Sequence, residues 1–127
     1  MELTKSELEV MTVLWDADRP LSRSDILKNS GQKTWKDSSV HILLNGLLAK
    51  EAIYEAGFAR SGKTFGRVFA PKISCEEYYA GTVFHSPGEK RLPQLFSALI
   101  KSDGLTQEII ADMEAMLAKR KKELGIK

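Results

Sequence analysis

The residues best placed to do chemistry fall into two groups. Ser38, Ser39, His41, Ile42 and Asn45 crowd about two helical turns with small hydrogen-bonding side chains and one branched apolar group. Such residues suit the edges of bases: an amide can pair with adenine, hydroxyls and an imidazole can bond bases or phosphates, and an aliphatic group can pack on a thymine methyl. The second group is Arg60, Lys63, Arg67 and Lys72, spread over residues 58–72 with no acidic residue among them. Cations concentrated in this way suit phosphate contact. Catalytic patterns are weak by contrast. His41 and His85 have no partnered nucleophile and carboxylate, the zinc-ligand spacings are missing, and Cys75 is the single cysteine. Gly62-Lys63-Thr64 resembles the end of a phosphate-binding loop, but the residues that follow read as strand rather than helix. The expectation is a protein that is not an enzyme and that uses neither metal nor cofactor.

The elements that must position these groups carry clear start signals. Thr4 with Glu7 forms a capping box, stapled by Leu3 and Leu8, and predicts a helix whose apolar stripe includes Leu8, Met11 and Trp15 and which ends before Pro20. Ser22 with Asp25 repeats the pattern for a short second helix, closed at Ser30-Gly31. Asp37 or Ser38 is placed to cap a third helix with Val40, Leu43, Leu44, Leu47 and Leu48 on its apolar side. Ser38, Ser39, His41, Ile42, Asn45 and Gly46 are left on the opposite side. From Ile53 the periodicity changes. Ile53–Ala56 and Arg67–Ala70 read as two short strands of a hairpin with a long, glycine-containing tip. Ser74 with Glu77 opens a fourth helix, Ser86-Pro87-Gly88 breaks it, Pro93 begins a fifth and Thr106 caps a sixth.

Length and charge narrow the class. A chain of 127 residues with 43% hydrophobic and 28% charged side chains is an ordinary globular protein, neither disordered nor a disulfide scaffold. No apolar run approaches the roughly 18 residues that span a bilayer, and the N-terminal Met-Glu-Leu-Thr-Lys lacks a hydrophobic signal core, so a cytoplasmic protein without membrane contact is expected. Residues 1–79 hold 11 basic and 11 acidic side chains; the formal net charge of +2 arises entirely from the remainder. Nucleic-acid binding therefore has to come from local charge at the hairpin rather than from a basic domain.

Three short helices followed by a hairpin predict a winged helix-turn-helix over residues 1–79, in a mainly α fold with a small β-hairpin. Residues 80–127 supply too little core to fold alone and read as a helical dimerisation region. Leu95, Phe96, Leu99, Ile109, Ile110, Met113 and Leu117 form its candidate interface.

The opening run from Leu3 to Trp15 resembles the first helix of the penicillinase-repressor family (BlaI/MecI/CopY type). The likeness continues through Trp35, Val40, Leu43-Leu44, Leu47 and Ile53, reaches Ile73 to Tyr78, and extends more faintly into Leu105 to Ile110. It implies a bacterial, cytoplasmic, homodimeric transcriptional repressor that binds a palindromic operator in double-stranded DNA. The third helix would lie in the major groove, the hairpin wing on the backbone, and the C-terminal helices would interlock the subunits.

Departures from the family pattern are equally informative. The resemblance implies Lys and Arg along the exposed face of the third helix, where this chain has Ser38, His41 and Gly46. Asp37 stands where the family usually has proline. The wing is a few residues longer than usual and carries Arg60, Lys63 and Arg67, which shifts expected phosphate contact toward it and leaves base reading to Ser39, Ile42 and Asn45. No Asn-Phe pair is present for the proteolytic induction of one branch, and no Cys-x-Cys motif for the copper response of another, so the inducer or sensor partner is unknown. The charge-poor third helix also motivates an alternative: a winged-helix protein-interaction or adaptor module that no longer reads DNA.

Overall fold

A computed structural model of the protein describes residues 1–61, 64–84 and 91–126. Its elements in order are α1 (Lys5–Ala17), β1 (Leu21–Ser22), α2 (Arg23–Asn29), α3 (Val40–Ala49), β2 (Ile53–Ser61), β3 (Thr64–Pro71), α4 (Cys75–Phe84), α5 (Leu92–Ile100) and α6 (Gln107–Glu123). The chain divides into two compact units, Met1–Thr82 and Val83–Lys127.

The predicted start signals form. Thr4 and Glu7 close a reciprocal box at α1, Ser22 and Asp25 close another at α2, and Ser74 and Glu77 exchange the same pair of bonds at α4. Thr106 accepts the Ile109 amide at α6. Capping of α3 differs from expectation. Neither Asp37 nor Ser38 caps it; residues Asp37–Ser39 form a single 3-10 turn with no side-chain cap. Asp37 is instead ion-paired at 2.5 Å to Lys33, four residues earlier in the sequence, which offsets its negative charge.

In the first unit, α1, α2 and α3 bury Val10, Met11, Leu14, Ile26, Val40, Leu44 and Leu47 against Leu21, Ala52, Ile53 and Phe69. This core fixes which side of α3 faces out. The sheet has three strands rather than the expected two: Leu21 and Ser22 pair with Phe69 and Val68, giving the order β1-β3-β2. The hairpin strands are also longer than predicted and leave only residues 62 and 63 between them. A bulge between Glu55 and Gly57 accounts for part of the irregular sequence pattern. Gly57 takes φ +128 there, a conformation that side-chain-bearing residues rarely adopt.

Glu7 ties α1 to α3. It is 5% exposed, accepts the Thr4 amide at 2.9 Å and receives the Lys50 ammonium at 2.5 Å, just beyond the end of α3. Gly46 was expected on the open side of α3, yet it faces this carboxylate. A β-carbon at position 46 would stand 2.7 Å from Glu7 Oε2, so glycine admits the close approach. Burial alone would raise the Glu7 pKa. The bonds from Lys50 and Thr4, with the Lys50 charge, outweigh it and hold the carboxyl below its ordinary value of 4.5. Because the folded value is the lower one, this contribution is complete above about pH 4.5 and is lost as pH falls through the folded value. Glu7→Gln is therefore expected to cost about 1 kcal/mol near neutral pH, comparable with loss of a helix cap. Thermal melts of the two proteins should converge as pH is lowered below about 4.5 and through the folded value. Parallel melting curves across that range would refute the assignment.

Candidate nucleic-acid interface

The helix-turn-helix presents α3 by burying Val40, Leu44 and Leu47, which leaves Ser38, His41, Ile42 and Asn45 exposed. Ile42 is 73% exposed, so its branched side chain is open on the outer face of α3. Ser39 is half-buried beside this surface, less open than the helical pattern predicts. The structure thus brings four of the five candidate DNA-contacting residues around α3 onto one exposed surface, with Ser39 at its margin.

One partner of this surface escaped the sequence reading. Arg23 opens α2 and is exposed, and its guanidinium donates a hydrogen bond to the ring of His41, 18 residues away. A ring nitrogen that accepts from guanidinium leaves the imidazole oriented and the arginine beside the outer face of α3. A detectable signal exists in the sequence. A cation in the first turn of a helix opposes the helix dipole, so Arg23 occupies a position that local stability disfavours.

Arg23, Ser24 and His41 form one wall of a groove of about 340 Å³ whose other wall includes Phe65, Gly66 and Arg67 of the wing. α3 and the hairpin therefore contribute to a single concave surface. Wing charge is distributed differently from the sequence expectation. Arg67 is ion-paired to Glu55 on the adjacent strand, and Lys72 to Glu51 at 3.3 Å. Counting acids only within residues 58–72 missed both partners. Arg60 lies over Phe65, with 6.0 Å from the guanidinium carbon to the ring centroid, and Lys63 lies outside the described residues.

The run from Gly57 to Thr64 carries the full spacing of a phosphate-binding loop, Gly-x-x-x-x-Gly-Lys-Thr. Its setting excludes that role. Gly57 pairs with Val68 inside β2, and Thr64 begins β3, so a strand rather than a helix N-terminus follows Lys63 in the sequence.

Both tryptophans serve the framework. Trp15 donates from its indole nitrogen to the Ile73 carbonyl at 2.9 Å and packs near Tyr78 and Tyr79, while Trp35 is half-buried against the core under the Lys33 ammonium. No cluster of histidine, cysteine, aspartate or glutamate suited to a metal ion occurs among the described residues. No helix among them is long and apolar enough to cross a membrane.

In the second unit, α5 and α6 carry the seven residues predicted for dimerisation. Leu95, Phe96, Leu99, Ile109, Ile110 and Leu117 are exposed, and Met113 is half-buried. Phe96, Ile100, Met113, Met116 and Leu117 line an almost wholly apolar cleft of about 360 Å³.

Residues 3–119 match the family model described as penicillinase repressor. An uncharacterised 16.5 kDa protein in the ptsI 3' region of Latilactobacillus sakei is 31% identical over 122 residues, covering 91% of this chain and 78% of that protein. Among solved structures, MepR, a transcription regulator of the Staphylococcus aureus multidrug efflux pump MepA, is similar with a TM-score of 0.42 and 18% identity, over 97% of this chain and 81% of that one. A mutant MepR from a multidrug-resistant S. aureus clinical isolate gives a TM-score of 0.45 and 19% identity, over 97% and 80%. With the three-helix core, the wing and the family match in agreement, the chain belongs to the penicillinase repressor family of winged-helix, DNA-binding transcriptional repressors.

Proposed function

We propose that the protein binds a palindromic operator as a homodimer, with α3 in the major groove and the wing against the flanking backbone. The observation that carries this reading is the groove shared by α3, Arg23 and the wing, where His41 of α3 lies between Arg23 of α2 and Arg67 of β3. Asn45 and Ile42 are assigned to base edges, with Ser38, Ser39 and His41 at bases or nearby phosphates. Arg23, Arg60, Lys63 and Arg67 are assigned to the backbone. Residues 1–79 form the DNA-binding part and residues 80–127 the dimerisation part, since the exposed apolar faces of α5 and α6 need a cover that a second copy would supply. A dimer sets two copies of α3 about 34 Å apart, one turn of DNA. Cytoplasmic location follows from this role.

A salt titration by fluorescence anisotropy on the DNA upstream of the protein's own gene tests the proposal. If Arg23, Arg60, Lys63 and Arg67 of both protomers contact phosphate, log affinity should fall against log salt with a slope of roughly −7. Absence of binding at low salt would overturn the reading. The individual contacts separate in the same assay. Asn45→Ala is expected to reduce discrimination between the operator and a variant site by about tenfold while sparing the slope. Arg60→Ala should weaken binding to both sites alike and make the slope shallower. Indistinguishable behaviour of the two variants would refute the division of roles.

A further inference from the structure

The wing carries a feature that phosphate contact does not require. Phe58 and Phe65 are 73% and 72% exposed. Phe58 stands opposite Arg67, and Arg60 opposite Phe65. Directly opposed residues share a face of an antiparallel ladder, as do residues two apart on one strand. These four side chains therefore form one patch in which rings and guanidinium groups alternate. Phe69 follows two residues after Arg67 on the same face of β3 and is buried in the core, so the patch is the core-side face of the sheet continued beyond the core. Phe65 and Arg67 of this patch also line the groove shared with Arg23 and His41. The patch thus lies on the side where α3 is exposed.

Its chemistry selects an occupant. The carboxylate across the ladder, Glu55, is engaged by Arg67, whereas Arg60 lies over the Phe65 ring. A surface of two rings beside the Arg60 guanidinium complements a polyanion with an apolar interior accessible at its edge, which describes a DNA duplex at its minor groove. Length is adequate. From Val68, the outermost buried residue of β3, four residues to Thr64 extend about 13 Å, against a minor groove about 7.5 Å deep.

We propose that Phe58 and Phe65 enter the minor groove beside the α3 site as an apolar wedge, so that the protein bends the DNA it binds. This rests on the operator-binding reading above. Apolar side chains inserted there partly unstack a base step and kink the duplex by about 20–90°. Pyrimidine–purine steps deform most readily, so the wing would add a preference for such a step at a position that α3 does not contact.

The test uses the full-length protein and a duplex that it selects from a random-sequence pool, labelled at its ends for energy transfer. Wild-type binding is expected to shorten the end-to-end distance, and F58A/F65A is expected to bind with an unchanged salt slope while losing at least half of the bend. Arg60→Ala should show the opposite split, with a shallower slope and the bend retained. Because both rings are exposed, F58A/F65A should keep the wild-type Trp15 and Trp35 emission. A straight wild-type complex, or equal bending by F58A/F65A, would overturn the wedge and leave operator binding intact. Failure to select any duplex would overturn the operator reading itself.

Discussion

F96E/L117E is expected to sediment as a monomer at micromolar concentration and to bind the operator on the order of 100-fold more weakly than wild type. Both positions are exposed and line the apolar cleft between α5 and α6. Neither α5 nor α6 contains a buried residue, so the second unit has apolar faces without an interior of its own to receive them. Covering those faces by a second copy removes apolar surface from water, at about 25 cal/mol per Å². Two glutamates at its centre would require burying charge without a partner, which is strongly unfavourable. Operator affinity should fall because linked half-site contacts gain on the order of 100-fold or more over independent ones. The winged unit offers an internal control. Both tryptophans lie within it, so an unchanged emission spectrum would show that this unit remains folded. Persistence of a dimer would place the interface elsewhere.

Arg23→Glu is the second substitution with a large expected effect. Arg23 stands beside His41 in the groove where α3 and the wing adjoin, whereas Arg67 across that groove is ion-paired with Glu55. Reversing its charge removes one phosphate contact per protomer and brings a carboxylate toward the backbone. A dimer should then lose on the order of 100-fold in affinity, with a salt slope shallower by about two. Loss of stability would not explain such a result, because an acidic residue in the first turn of α2 favours the helix dipole. Arg23→Gln should reproduce the change in slope with a smaller loss of affinity, since it removes the cation without adding repulsion. Wild-type affinity in both variants would show that phosphate does not approach this groove.

The helices were legible because their signals are local. Each capping box lies within four residues, and Thr4, Ser22 and Ser74 each form theirs. The exposed surface of α3 followed from the same short-range periodicity. Features that depend on closure of the chain were not legible. The two-residue strand Leu21–Ser22 is too short to show alternation and exists through its pairing with Val68 and Phe69. Gly46 read as an open position because its neighbour, Glu7, lies on another helix. Residues 58–72 read as four cations without an acid because Glu55 and Glu51 precede the tip in sequence, and the ladder with its bulge brings Glu55 to Arg67. Arg23 was missed for the same reason: its relation to His41 arises from the packing of α2 against α3.

Amide chemical-shift mapping of the full-length protein with its upstream duplex tests the placement of DNA most directly. The largest perturbations are expected on Arg23, on residues 38–45 and on residues 58–67, with Trp15, Ile73 and the start of α4 little changed. Perturbations centred on α4 or the end of α1, with the outer face of α3 silent, would contradict it.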